Sequence, residues 1–124
     1  MKYLVDTCAW IEWLCDNKLA SSIHKYLKNL EQVAVPTIVQ FELYKWICRE
    51  KDESLALSIV GMTEQAAVLP IDTSLALYAA DVARDYRLAM ADAIIYAATL
   101  KFDLELVTSD KHFKGLKHVK YLAK

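Results

Sequence analysis

Apolar residues along this chain alternate between short unbroken runs and a three- and four-residue rhythm. Lys2 to Val5 predicts a short buried strand that ends at Asp6. Residues 8–15 follow a helical spacing through Ala9, Trp10, Trp13 and Leu14. Residues 19–30 predict a second helix, with Leu19, Ile23, Tyr26, Leu27 and Leu30 on one face. Val33 to Val35 reads as a strand closed by Pro36. Thr37 then opens a helix to about Lys51, and its spacing to Gln40 is that of a capping box. Residues 53–62 predict another helix, and Val68 to Ile71 a third strand. Asp72, Thr73 or Ser74 is expected to cap a helix reaching Arg87. Met90 to Lys101 follows as a helix, Leu104 to Thr108 as a strand, and Val119 to Leu122 as a last short strand.

Strands alternating with helices predict an α/β sandwich with a mostly parallel sheet. The 124 residues fit a single domain, residues 1–124, with one core. Only two Gly and two Pro occur, so helices joined by short connections are expected. Active sites in open α/β sheets gather at the carboxyl ends of the strands. Acids at strand ends therefore become the first candidates for chemistry.

Composition adds three constraints. Hydrophobic residues at 56% and charged residues at 25% describe a globular chain, not a disordered one. The net charge is −1, but Lys111, Lys114, Lys117, Lys120 and Lys124 lie in a tail that holds no acid. All 16 acidic side chains lie upstream; an acidic body with a basic tail suits a protein that holds cations and meets phosphate, and a merely solubilising C-terminus is the ordinary alternative. Cys8, Cys15 and Cys48 are odd in number and lack CxxC spacing, which argues against a disulfide framework or zinc site and for reduced thiols in a cytoplasmic setting. No apolar run is long enough to span a bilayer, and the acid at position 6 interrupts any secretory signal.

Asp6 directly follows the first strand and Asp110 closely follows the fourth, in Thr108-Ser109-Asp110. Glu42 lies one turn into the helix after the second strand. Asp92 lies in the first turn of the nearly all-apolar segment Met90 to Ala98. Taken singly, each has an ordinary structural use. Asp6 can cap a helix, Asp92 can answer a helix dipole, and Glu42 can pair with Lys45 or Arg49. Taken together, carboxylates converging at one sheet edge repel unless cations neutralise them. Mg²⁺ and Mn²⁺ choose oxygen ligands for that role and can activate water for phosphoryl transfer. No Ser-His-Asp, Cys-His or HExxH arrangement competes. His24, His112 and His118 lack metal-ligand spacing, and only His112 is expected near the acids.

Four segments together resemble the motif blocks of PIN domains, most closely the VapC-type toxins of toxin–antitoxin pairs. They are Val5 to Ile11, Phe41 to Leu43, Ala91 to Thr99 and Val107 to Phe113. The resemblance implies a PIN-like α/β/α sandwich and an endoribonuclease dependent on Mg²⁺ or Mn²⁺. It implies that Asp6, Glu42, Asp92 and Asp110 are the catalytic, metal-holding quartet. It further implies an RNA substrate, a homodimer and a cognate VapB-type antitoxin. Two positions depart from the pattern: Cys8 stands where Asn is frequent, and His112 where a further acid is frequent. The second departure makes the outer metal position less acidic.

Thr7, Thr108 and Ser109 are candidates for orienting the carboxylates, with capping and turn formation as their ordinary alternative. Lys111 and Lys114 are candidates for positioning an RNA backbone without reading sequence. Trp10, Trp13, Tyr44 and Trp46 flank Asp6 and Glu42, as groove lining for an antitoxin peptide or as plain core. Two other readings remain open at this point. One is a PIN fold that binds without catalysis. The other is a phosphoacceptor receiver domain, which shares the length and the strand-end acids but needs a second acid beside Asp6.

Overall fold

The computed structural model describes residues 1–124. Its centre is a five-stranded sheet in the order β3-β2-β1-β4-β5, with every pairing parallel. The strands are β1 (Tyr3–Val5), β2 (Val33–Pro36), β3 (Ala67–Leu69), β4 (Glu105–Thr108) and β5 (Val119–Tyr121). Parallel pairing requires crossovers, and six helices supply them. They are α1 (Thr7–Leu14), α2 (Ala20–Leu27), α3 (Thr37–Glu50), α4 (Glu53–Thr63), α5 (Thr73–Tyr86) and α6 (Met90–Lys101). The middle strands are unbroken apolar runs because both of their faces are covered. Leu4, Val5, Val33, Ala34, Val35, Leu106 and Val107 are all fully buried in one core cluster.

The strand order excludes the receiver alternative, whose doubly wound sheet runs 2-1-3-4-5. Here β1 is central and neighbours β2 and β4. The chain therefore reverses direction across the sheet between β1 and β4, and a crevice opens at their carboxyl ends.

Several boundaries differ from expectation for local reasons. The helix expected over 19–30 ends at Leu27. Asn29 turns extended, accepts a hydrogen bond from the Glu31 N–H, and starts a short 3₁₀ turn, Leu30–Gln32. β3 stops at Leu69 instead of Ile71, since Pro70 cannot donate to a ladder. The Thr37–Gln40 capping box does not form. Pro36 holds the cap position, and Gln40 Nε2 instead donates to Thr63 Oγ1 at 3.0 Å, tying α3 to the end of α4. Asp72 does cap α5, accepting from the Leu75 N–H at 2.8 Å. α5 ends at Arg87 in the left-handed conformation, φ 56° and ψ 48°, which turns the chain into α6.

Candidate active site

Asp6 sits where β1 becomes α1, and its N–H still donates to the Val107 carbonyl of β4 at 2.9 Å. That bond fixes its carboxylate over the carboxyl end of the two central strands. The residue is only 4% exposed. Oδ1 accepts from the Thr7 N–H at 2.8 Å and Oδ2 from Thr108 Oγ1 at 2.7 Å, with Cys8 Sγ at 3.5 Å. Burial pushes its pKa from 3.8 up to about 6; the hydrogen bonds oppose that rise, and the charge of Asp92 adds to it.

Thr108 joins two of the acids. Its hydroxyl donates to Asp6 and accepts the Asp110 N–H at 2.9 Å. Asp110 then caps a short 3₁₀ turn, Lys111–Phe113, by accepting from the His112 N–H at 2.9 Å. The turn brings the His112 ring back across the site. Its Nδ1 lies 2.9 Å from Asp92 Oδ2 and 3.4 Å from Asp110 Oδ1. The hydrogen bond that the protonated ring donates to Asp92 and the charges of Asp110 and Asp92 hold the imidazole above its usual pKa of 6.5. Asp92 occupies the first turn of α6, whose next residues are buried from Ala93 through Thr99 apart from the half-buried Ile94. The buried helix face thus fixes the Asp92 backbone.

Glu42 is reached through Thr7, whose Oγ1 donates to Glu42 Oε1 at 2.7 Å. It forms no ion pair with Lys45 or Arg49. It borders a hollow of about 250 Å³ lined with Thr7, Ile11, Phe41, Lys45, Trp46 and Arg49. Asp92 and His112 border a separate hollow of about 300 Å³ with Tyr86, Arg87, Leu88 and Ala89. Ser109 donates to Cys8 Sγ at 3.4 Å, and burial beside Asp6 raises the Cys8 pKa. Lys111 and Lys114 are exposed, the Lys114 Nζ 5.4 Å from the Tyr121 ring centre.

Of the aromatics, Trp10 is wholly core, with its indole N–H unpartnered. Trp13 is half-buried and stacks on His24, Trp46 lines the Glu42 hollow, and Tyr44 is exposed. His112, the one histidine expected near the acids, is there although it lacks ligand spacing in the chain: the turn capped by Asp110 delivers its ring to Asp92. Arg87 lies five residues before Asp92 in no motif, and its left-handed backbone sets it at the edge of the Asp92 hollow. No sequence signal marked Arg87, because a positive φ is a property of the folded backbone.

An arrangement of carboxylate oxygens on fixed backbones suits a hard divalent cation. Asp92, Asp110 and His112 each offer a ligand atom, and these atoms lie within 4.8 Å of one another. Two carboxylate oxygens and one imidazole nitrogen form a donor set that fits a divalent cation.

The class that this sheet and this strand-end site define is the PIN domain. The model of that family matches residues 3–119, and the chain belongs to it. No curated protein matches the chain in sequence. Among solved structures, a toxin–antitoxin complex from Klebsiella pneumoniae is similar at TM-score 0.80 and 22% identity, over 96% of both chains. VapBC2 from Rickettsia felis, bound to a DNA fragment from its promoter, aligns at TM-score 0.76 and 17% identity over 99% of this chain and 98% of that one. VapC20 from Mycobacterium tuberculosis, a sarcin-ricin loop cleaving toxin, aligns at 0.73 and 17% over 94% and 95%. At these identities the likeness is one of fold.

Proposed function

We propose that this chain is a metal-dependent endoribonuclease of the VapC type, the toxin of a VapBC-like toxin–antitoxin pair. The observation that carries this reading is the linkage of Asp6, Asp110 and Asp92 at the carboxyl ends of β1 and β4 in a chain of the PIN family. Asp6, Glu42, Asp92 and Asp110 would hold Mg²⁺ or Mn²⁺. When bound, such an ion makes water a nucleophile at neutral pH and neutralises charge on the phosphoryl group.

The chain's own residues do the positioning. Thr108 holds Asp6 and the Asp110 backbone at a fixed separation, and Thr7 holds Glu42 toward Asp6. Ser109, through Cys8, braces the same turn. Asp6 is held with both oxygens oriented, so little reorganisation is needed when a cation arrives. Arg87, which borders the Asp92 hollow, and Lys111 and Lys114, exposed just after Asp110 in the chain, would bind the RNA backbone, a contact that positions without reading sequence.

The similarity in fold to VapBC complexes supports an antitoxin partner. The hollow lined by Ile11, Phe41 and Trp46 is where we assign an antitoxin segment. A second copy of this chain is assigned to the apolar face between α5 and α6, where Ile71, Met90, Ile94 and five alanines line a hollow of about 390 Å³. No helix is long and apolar enough to cross a membrane, and the three cysteines are unpaired, which supports a reducing, cytoplasmic setting. The test is direct. Protein freed of any copurifying antitoxin is incubated with structured RNA and Mn²⁺. Cleavage that stops in EDTA and returns with metal supports the proposal; cleavage that persists in EDTA excludes it.

A further inference from the structure

Resting on the reading of this cluster as a cation site, we infer that His112 is itself a ligand. It turns Asp92, Asp110 and His112 into a mixed nitrogen–oxygen set that selects transition-metal ions over Mg²⁺. The geometry comes first. Two ligand atoms bound cis to one ion at roughly 2.1 Å lie about 3.0 Å apart at a right angle and about 3.4 Å apart at the tetrahedral angle. His112 Nδ1 lies 2.9 Å from Asp92 Oδ2 and 3.4 Å from Asp110 Oδ1. Those separations match what one small ion requires, so an ion replaces the proton that Nδ1 shares with the two carboxylates.

The atoms are held there by the fold. Asp110 Oδ1 accepts the His112 backbone N–H, and the Asp110 N–H is anchored on Thr108. Phe113, fully buried against Tyr96 of α6, pins the far end of the turn. Asp92 sits on that same helix, so one packed contact sets the spacing between α6 and the turn. The His112 side chain is 69% exposed, and an ion reaches it without opening the core.

Donor chemistry then decides the ion. Mg²⁺ takes oxygen ligands and keeps its waters, whereas imidazole suits the borderline ions, with affinity rising from Mn²⁺ through Co²⁺ toward Zn²⁺-class metals. A histidine in place of an oxygen donor removes negative charge, which weakens Mg²⁺. It adds a nitrogen ligand, which strengthens the others. The other histidines supply internal controls. His24 stacks on Trp13 and His118 lies 3.7 Å from Asp103, neither beside Asp92.

The experiment uses the full chain and two probes, Co²⁺ and Mg²⁺, with calorimetric affinities and proton NMR of the Co²⁺ form. A coordinated imidazole gives a strongly shifted, exchangeable ring N–H resonance. That resonance is expected in the wild type, in His24→Gln and in His118→Gln, and absent in His112→Gln. His112→Gln is expected to lower Co²⁺ affinity by about tenfold or more while changing Mg²⁺ affinity less than about twofold. His112→Asp is expected to strengthen Mg²⁺ and erase most of the discrimination. Equal Co²⁺ affinity in wild type and His112→Gln, with no shifted imidazole resonance, overturns the inference and leaves the carboxylate site standing. Failure of both ions to bind, or Co²⁺ binding that survives Asp92→Asn combined with Asp110→Asn, overturns the cation-site reading as well.

Discussion

Replacing Asp6 by Asn should stabilise this protein in the absence of metal, and the size of the effect follows from the site. Asp6 is 4% exposed, and its carboxyl titrates near 6 instead of 3.8, chiefly because of burial. The folded state therefore holds this proton more tightly than the unfolded chain does. The associated stability is fully present below about pH 3.8 and is lost as pH rises through 6. A separation of that size corresponds to about 3 kcal/mol of unfavourable free energy for the ionised form above pH 6. Asn carries no charge and avoids that cost. It also brings an NH₂ group to a place where Thr108 donates, which forfeits about 1 kcal/mol of hydrogen bonding. The net gain at pH 8 in EDTA is then about 1–2 kcal/mol, a rise in Tm of roughly 5 °C for a chain of this size. Urea unfolding of both proteins from pH 4.5 to 8 provides the test. The advantage of Asp6→Asn should shrink as pH falls, and saturating Mn²⁺ should reverse it. A loss of stability exceeding about 2 kcal/mol at pH 8 without metal, or a difference that does not vary with pH, would refute the reasoning.

The remaining expectations concern neighbouring groups. Thr108→Val keeps the buried shape but removes the hydroxyl that serves Asp6 and the Asp110 N–H; chemical denaturation should show a loss of about 1–3 kcal/mol. Adding Mn²⁺ at a hundred times its Kd should stabilise the wild type by about 2.7 kcal/mol, and an unchanged Tm at millimolar metal would count against an ion site. In EDTA, the His112 ring should titrate above 6.5 by NMR and move back toward that value in Asp92→Asn, because the Asp92 contact is the leading cause of its shift.

Much of this fold was legible because the covered strands are unbroken apolar runs and the helices carry clear periodicity. Boundaries failed where a single residue overrode the pattern: Asn29 ended α2 early, and Pro70 cut β3 short. The Thr37–Gln40 pair had capping spacing, but Thr63 offered Gln40 a partner from another element, which no local spacing reveals. At the site, Asp6 and Asp110 were readable from strand ends, and Asp92 from a carboxylate set in an apolar helix. His112 was readable as near the acids from its place two residues after Asp110, but its contact with Asp92 was not, and Arg87 was not readable at all. Their positions depend on a 3₁₀ turn and on a left-handed helix end, both properties of the assembled backbone. Trp10 shows the opposite failure: helical spacing left it open between groove and core, and packing made it core.

The central claim is that a carboxylate-held metal ion cleaves RNA here, and a matched pair of substitutions tests it most directly. Asp92→Asn removes one charge from the cluster at nearly constant shape. Asp85→Asn removes one from the exposed face of α5, where Asp85 pairs only with Arg84. Both proteins and the wild type are purified identically, freed of antitoxin, and incubated with structured RNA and Mn²⁺. The account predicts cleavage at wild-type rate by Asp85→Asn and a rate lower by orders of magnitude for Asp92→Asn. Equal cleavage by the wild type and Asp92→Asn would contradict it.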